Sequence, residues 1–270
     1  MERKEILQGK KRIVIKIGTS TIIDEQTGEI DEKKLDKFVR ILVNLREDDK
    51  EIVVVSSGAV GVGKCALGLL GESTDKVMKQ VCAAVGQGRL MTMYEKLFMN
   101  YDQLTAQVLL TKESIANEKC RTEVKKTFQN LMQMGVIAIV NENDAVSVDE
   151  KAYGNFGDND TMAAHVAAMI EADLLILMSD IEGLYTDDPK ANPKATFIST
   201  VRSISQEMER MAKGAGSSVG TGGMATKIQA AKVVTKAGAD MVIANGANIG
   251  AIRDIMEGKK IGTLFLSANR

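Results

Sequence analysis

The stretch Thr221-Gly222-Gly223-Met224-Ala225-Thr226-Lys227 runs a glycine pair into a helix pattern that carries a lysine, a composition suited to holding polyphosphate. Glycine permits close backbone approach and unusual dihedrals, the first turn of a helix offers unpaired N–H groups at the positive end of its dipole, and Lys227 adds a mobile full charge. Such a loop is also a common plain connection, so its meaning depends on the other polar residues of the chain. Four strand-like runs end in polar or glycine-containing segments: Lys16-Ile17-Gly18-Thr19-Ser20, Ser56-Ser57-Gly58-Ala59, Asn141-Glu142-Asn143-Asp144 and Ser179-Asp180. Taken singly, Lys16 reads equally as an edge-strand lysine, Ser57-Gly58 as a helix-entry turn and 141–144 as a capping loop. Gly157-Asp158-Asn159-Asp160 is harder to explain that way, because an N-cap accounts for one acidic residue but not for two carboxylates and an amide.

The residues that are scarce narrow the chemistry. The single histidine, His165, lies in the alanine-rich pattern Ala163-Ala164-His165-Val166-Ala167-Ala168, where a packed or half-exposed helix position is expected. The three cysteines, Cys65, Cys82 and Cys120, have no paired metal-ligand spacing and read as reduced and structural. Phosphoryl transfer needs positioning and charge neutralisation more than proton chemistry. A carboxylate acceptor, with a reference pKa near ~4.3, is already ionised at neutral pH, so no general base is required. Lys16 and Lys227 could grip the transferring group from opposite sides, with Asp160 holding both lysines.

Apolar strand-like runs alternate with helix-period segments along the whole chain, which predicts an α/β fold with an open, mostly parallel sheet sandwiched by helices. Strands are expected at 12–17, 52–55, 107–110, 136–140, 174–178, 241–244 and 263–266. Helices are expected near 35–45 with Asp31 as N-cap, and at 74–98, 117–134, 160–171, 205–213 and 224–236. Val77, Val81, Val85 and Tyr94 are assigned to the apolar side of the long helix, and Gly86 and Gly88 within it suggest close packing against a neighbouring helix or subunit. Ligands of open parallel sheets bind at the carboxyl ends of the strands, so the four polar segments are expected along one sheet edge.

With 270 residues, 44% of them hydrophobic, the chain can bury a large core. A net charge of -1 supplies no global basic field, so nucleic acid and anionic membrane are not expected partners. The longest apolar runs are strand-sized, and residues 1–11 are followed by no apolar signal region, so a cytoplasmic location is expected.

Together with Ala83-Ala84-Val85-Gly86-Gln87, Gly183-Leu184-Tyr185-Thr186 and Asp188-Pro189, these motifs occur in an order that resembles the amino acid kinase family, and within it the branch that phosphorylates L-glutamate. The resemblance spans nearly the whole chain and implies the amino acid kinase fold over residues 1–270, without the C-terminal PUA domain that many relatives carry. It also implies ATP-dependent phosphorylation of the glutamate side-chain carboxylate to L-glutamyl 5-phosphate, the first step of proline biosynthesis, with Mg2+ bridging the ATP phosphates.

By motif match, Lys16 and Lys227 resemble the lysines that stabilise the transferring group, and Asp160 resembles their organiser. Ser57, Asp144 and Asn159 match glutamate-binding positions, with Asn141 and Asp158 beside them. Lys16, Ser179, Asp180 and the stretch Thr221, Gly222, Gly223, Met224, Ala225, Thr226 and Lys227 match ATP-binding positions. No metal ligand from the protein is assigned. Expected partners are L-glutamate and ATP, proline as feedback inhibitor, and other copies of the chain. Other members of the family, acting on aspartate, N-acetylglutamate, carbamate or a nucleoside monophosphate, and a non-catalytic nucleotide or amino-acid sensor stand as alternatives.

Overall fold

The computed structural model describes residues 2–24, 26–146, 159–187, 189, 191–214 and 223–269. In chain order they form α1 (Arg3–Gln8), β1 (Arg12–Ile17), α2 (Thr19–Ile22), α3 (Glu32–Glu47), β2 (Glu51–Ser56), α4 (Ala59–Ala66), α5 (Lys76–Met99), β3 (Thr105–Leu110), α6 (Lys112–Ala116), α7 (Glu118–Gln133) and β4 (Ile137–Glu142). A 3-10 turn at Asp144–Val146 precedes α8 (Asn159–Met169), β5 (Leu174–Ser179), β6 (Leu184–Tyr185), β7 (Phe197–Ile198), β8 (Thr200–Val201), α9 (Gln206–Gly214), α10 (Met224–Lys236), β9 (Asp240–Asn245), α11 (Ala251–Met256) and β10 (Thr263–Phe265). The chain divides into two compact units, Met1–Lys16 with Phe156–Arg270, and Ile17–Asn155. Both are α/β, with mostly parallel strands and helices packed against them, as the alternating pattern predicts.

In the first unit β1, β5 and β9 run parallel, with Lys16 opposite Leu177 and Ser179 opposite Asn245. Strand β10 closes antiparallel on β9 and parallel on β8. Every residue of β5 is buried, which is why its sequence is a continuous apolar run rather than an alternation. Helix α8 buries Met162, Ala163, Ala164, Val166, Ala167 and Met169, and α10 buries Ile228, Ala230, Ala231 and Val234. The small alanines let these two helices pack closely, so residues on their first turns can meet.

In the second unit β3, β4 and β2 are parallel neighbours, with Val54 opposite Ile139 and Val108 opposite Val140. Helix α3 buries Leu35, Phe38, Val39, Leu42 and Leu45 at the expected spacing, and the Asp31 carboxylate caps it by accepting from the Lys34 N–H at 3.0 Å. Asn117 both ends α6 and caps α7, accepting from the N–H groups of Lys119 and Cys120; the expected single helix at 117–134 is therefore preceded by a short one that its own period could not reveal.

Helix α5 departs from the expectation in two ways. Its buried stripe is Cys82, Ala83, Gly86, Leu90, Tyr94, Leu97 and Phe98, whereas Val77 and Val81 are exposed at 66% and 42%. Those two valines lie on the side of the helix opposite the stripe that touches the core. Gly86 does serve close packing, because a Cβ there would fall 1.8 Å from the Ala59 carbonyl oxygen, and one at Gly63 would fall 1.8 Å from that of Cys82. Helices α4 and α5 therefore cross with backbone against backbone. Gly88 faces open space and makes no such contact.

Candidate active site

Lys16 is the penultimate residue of β1, Asp160 sits on the first turn of α8 and Lys227 on the first turn of α10. The structure brings all three together in the first unit. Lys16 Nζ lies 2.7 Å from Asp160 Oδ1 as an ion pair, and Lys227 Nζ donates to Asp160 Oδ2 at 3.0 Å. The side chains are 12%, 2% and 5% exposed for Lys16, Asp160 and Lys227 respectively, so the charges are held out of bulk water. Burial by itself would raise the Asp160 pKa, but the charges of Lys16 and Lys227 outweigh it and hold the carboxyl below the usual carboxylate range. Two ammonium groups around one carboxylate leave a surplus positive charge, the feature an incoming polyphosphate needs.

Asn159 opens α8 and is half-buried. Ser179 ends β5, and its hydroxyl donates to the exposed Asp180 carboxylate at 2.9 Å. Gly223 caps α10 with φ -68° and ψ 177°, extended backbone open to any residue, so this glycine does not need the unusual dihedrals expected of it. Met224, Ala225 and Thr226 form the first turn, where the Thr226 hydroxyl donates to the Gly223 carbonyl at 2.7 Å. Asp158, Thr221 and Gly222 lie outside the described residues, as do Gly157 and Asp188.

The remaining assigned residues belong to the second unit. The Ser57 N–H donates to the Ile17 carbonyl at 3.1 Å, and the next residue, Gly58, has φ 108°, a left-handed conformation that favours glycine at the start of α4. Asn141 is 2% exposed at the end of β4, where its Nδ2 donates to Gln87 Oε1 at 2.8 Å. Asp144 opens the 3-10 turn and lines a cavity of about 250 Å³ with Gln87, Gln107, Glu142 and Asn143. Burial and the neighbouring Glu142 charge push the Asp144 carboxyl up to about 6.

Glu142 and Gln87 have no expected role from the sequence, although Asn141–Asp144 and Ala83–Gln87 are among its motifs; the structure places both on the cavity that Asp144 lines. That placement depends on what they touch, which a linear pattern does not contain. Tyr94 was assigned only to packing, yet its fully buried hydroxyl also hydrogen-bonds Ser56 at 3.0 Å, beside Ser57. His165 is half-buried on α8, and of the three free thiols Cys82 is buried, Cys65 half-buried and Cys120 exposed.

Among the described residues no group of three His, Cys, Asp or Glu side chains could hold a metal ion. Asp160, with an ammonium group on each oxygen, does not fit a resident magnesium ion, which requires free oxygen ligands. Magnesium would instead enter with ATP and supply charge neutralisation there. Among the described residues no helix is long and apolar enough to cross a membrane.

The amino acid kinase family model matches residues 11–245, a span that contains every residue placed above. The chain is 47% identical over 262 residues to a glutamate 5-kinase of Carboxydothermus hydrogenoformans, covering 97% of this chain and 69% of that protein. It is 45% identical over 265 residues to a glutamate 5-kinase of Clostridium perfringens, covering 98% of each. Among solved structures, carbamate kinase from Giardia lamblia bound to AMP-PNP matches with a TM-score of 0.65 at 16% identity, over 96% of this chain and 99% of that one. UMP kinase from Bacillus anthracis matches at 0.63 and 15%, over 96% and 97%, a likeness of fold. The parallel α/β architecture, the lysine-flanked carboxylate and a family match that takes in both lead to one conclusion: the chain belongs to the amino acid kinase family.

Proposed function

We propose that the protein transfers the γ-phosphoryl group of ATP to the side-chain carboxylate of L-glutamate, forming L-glutamyl 5-phosphate, the first step of proline biosynthesis. The observation that carries this reading is the buried Lys16–Asp160–Lys227 cluster. The similarity to glutamate 5-kinases over nearly the full chain supports the choice of acceptor.

In this mechanism Lys16 and Lys227 neutralise the charge that spreads over the phosphoryl oxygens during transfer, when little covalent chemistry is left for the protein to do. Asp160 touches no substrate; it positions the two lysines. The first turn of α10, from Met224 to Lys227, receives ATP phosphates on its N–H groups, with Ser179 and Asp180 at the nucleotide. Magnesium, entering with ATP, offsets the charge of the polyphosphate. Ser57, Asn141, Asp144 and Asn159 bind glutamate, Asp144 through the substrate ammonium. Asp158, Thr221 and Gly222 retain their assignments from the resemblance alone. So do the chain acting as one amino acid kinase domain over 1–270, assembly into a homo-oligomer, inhibition by proline and a cytoplasmic location.

The test is ADP release from Mg-ATP with glutamate, aspartate, N-acetylglutamate and carbamate as acceptors, with hydroxylamine present to trap an acyl phosphate as its hydroxamate. Glutamate alone is expected to give both ADP and hydroxamate. Turnover with aspartate or N-acetylglutamate in place of glutamate would reassign the acceptor.

The raised Asp144 pKa adds a pH dependence. Only the carboxylate can pair with an ammonium group, so kcat/KM for glutamate should fall as pH drops through about 6, by about tenfold per unit below it. Asp144→Asn should remove that acid limb and leave a lower, flat profile. An unchanged limb in the variant would place the titrating group elsewhere.

A further inference from the structure

We propose that Gln87 receives the α-carboxylate of the substrate and thereby selects an amino acid whose α-carboxylate is free. This rests on the reading that the Asp144 cavity takes glutamate. Two of the polar side chains lining that cavity, Glu142 and Asp144, are acids that repel a carboxylate when ionised, so a carboxylate ligand must find an amide donor there, and of the lining amides Gln87, Gln107 and Asn143 it is Gln87 whose nitrogen is buried without a partner among the described residues. The hydrogen bonds of this region fix which end of Gln87 is available. The Glu142 N–H donates to Asn141 Oδ1 at 2.9 Å, which leaves Asn141 Nδ2 as the outward donor. Asn141 Nδ2 then donates to Gln87 Oε1 at 2.8 Å, which turns Gln87 Nε2 the other way.

Gln87 Nε2 is buried and has no hydrogen-bond partner among the described residues. A buried donor without an acceptor is disfavoured, and Gln87 lines the cavity, so a small turn of its amide toward a ligand oxygen would satisfy this N–H pair. In an α-amino acid the ammonium and the α-carboxylate share one carbon. If Asp144 takes the ammonium, the α-carboxylate falls in the same cavity and the γ-carboxylate is left free to accept the phosphoryl group.

The experiment uses the full chain with L-glutamate and its α-amide, L-isoglutamine, in calorimetric binding and in ADP release. The unmodified protein should bind glutamate at least about tenfold more tightly than isoglutamine, because an amide cannot match a carboxylate as acceptor. Gln87→Leu should raise the glutamate KM about ten- to hundredfold, the loss of one hydrogen bond to a charged group, with the KM for ATP unchanged and that for isoglutamine within about twofold. Gln87→Met, which keeps the length of the side chain, should behave alike and serves if the leucine variant melts early.

Equal affinity of the unmodified protein for the two ligands would overturn the proposal, and so would an equal rise in both KM values. If the unmodified protein neither binds nor turns over glutamate, the underlying functional reading fails, and Gln87's role falls with it. If glutamate is used but the discrimination is absent, only the Gln87 assignment fails.

Discussion

Lys227→Ala should lower kcat by about two to three orders of magnitude while the KM for glutamate moves by less than about threefold, and Lys16→Ala should do the same. The asymmetry follows from where the charge resides. In the ground state the two ammonium groups are already engaged by Asp160, at 3.0 and 2.7 Å, so they add little to the binding of the unreacted amino acid. During transfer the phosphoryl oxygens need compensation in a site largely closed to water, where a fixed ammonium counts for far more than on a surface. Lys227→Arg should not restore the rate, because a guanidinium fork is wider than an ammonium and the position is only 5% exposed. Steady-state kinetics with both substrates check this, alongside thermal melts to verify folding. An equal loss of kcat and of glutamate affinity would remove the lysines from the transition-state role.

Asp160→Ala should be the more disruptive change to the fold. It leaves two buried ammonium groups facing each other with no counter-charge, and removing one partner from a buried ionic cluster costs about 3–5 kcal/mol. Turnover should fall at least as far as in the lysine variants, since both lysines lose their orientation together. The sign of the pH effect is set by the lowered pKa of Asp160. A carboxyl with a depressed folded-state pKa contributes stability above the ordinary carboxylate range and loses that contribution as pH falls through its lowered value. The stability gap between the unmodified protein and Asp160→Asn should therefore be widest near neutral pH and narrow in acid. Chemical denaturation at several pH values measures it, and a gap that widened in acid would mean that Asp160 is not held ionised by the lysines.

The features legible in the sequence were those governed by local rules. Asp31 caps α3 through its own side chain, and α10 begins at Met224 because an extended glycine precedes a run of good helix formers. The apolar content of β5 announces a strand covered on both faces. The polar residues Lys16, Ser57, Asn141 and Ser179 stand at or within one residue of the carboxyl ends of β1, β2, β4 and β5, positions that follow from strand length alone. Short elements such as α1, α4 and α11 escaped, since six to eight residues give too little periodicity to read. Val77 and Val81 were placed on the wrong side of α5 for a related reason. In the first half of this helix, whose crossing depends on Gly86, the buried side is chosen by where the backbones can touch and carries the small residues Cys82 and Ala83, whereas large residues mark it only from Leu90 onward.

The sequence by itself determined which residue types were available for phosphoryl transfer, the strands and helices that carry them, and, through shared motifs, the family. These depend on spacing, capping and composition, which act over a few neighbouring residues. That Asp160 holds both lysines was an expectation from the motifs, to which the tertiary structure added the distances; only the tertiary structure decided that Gln87 turns its amide nitrogen away from Asn141 and that burial beside Glu142 raises Asp144 to about 6. Lys227 and Asp160 are 67 positions apart, and Asn141 and Gln87 are 54 apart. Charge pairing, amide orientation and desolvation depend on distances of a few ångströms in space, and no local pattern in the chain specifies those distances.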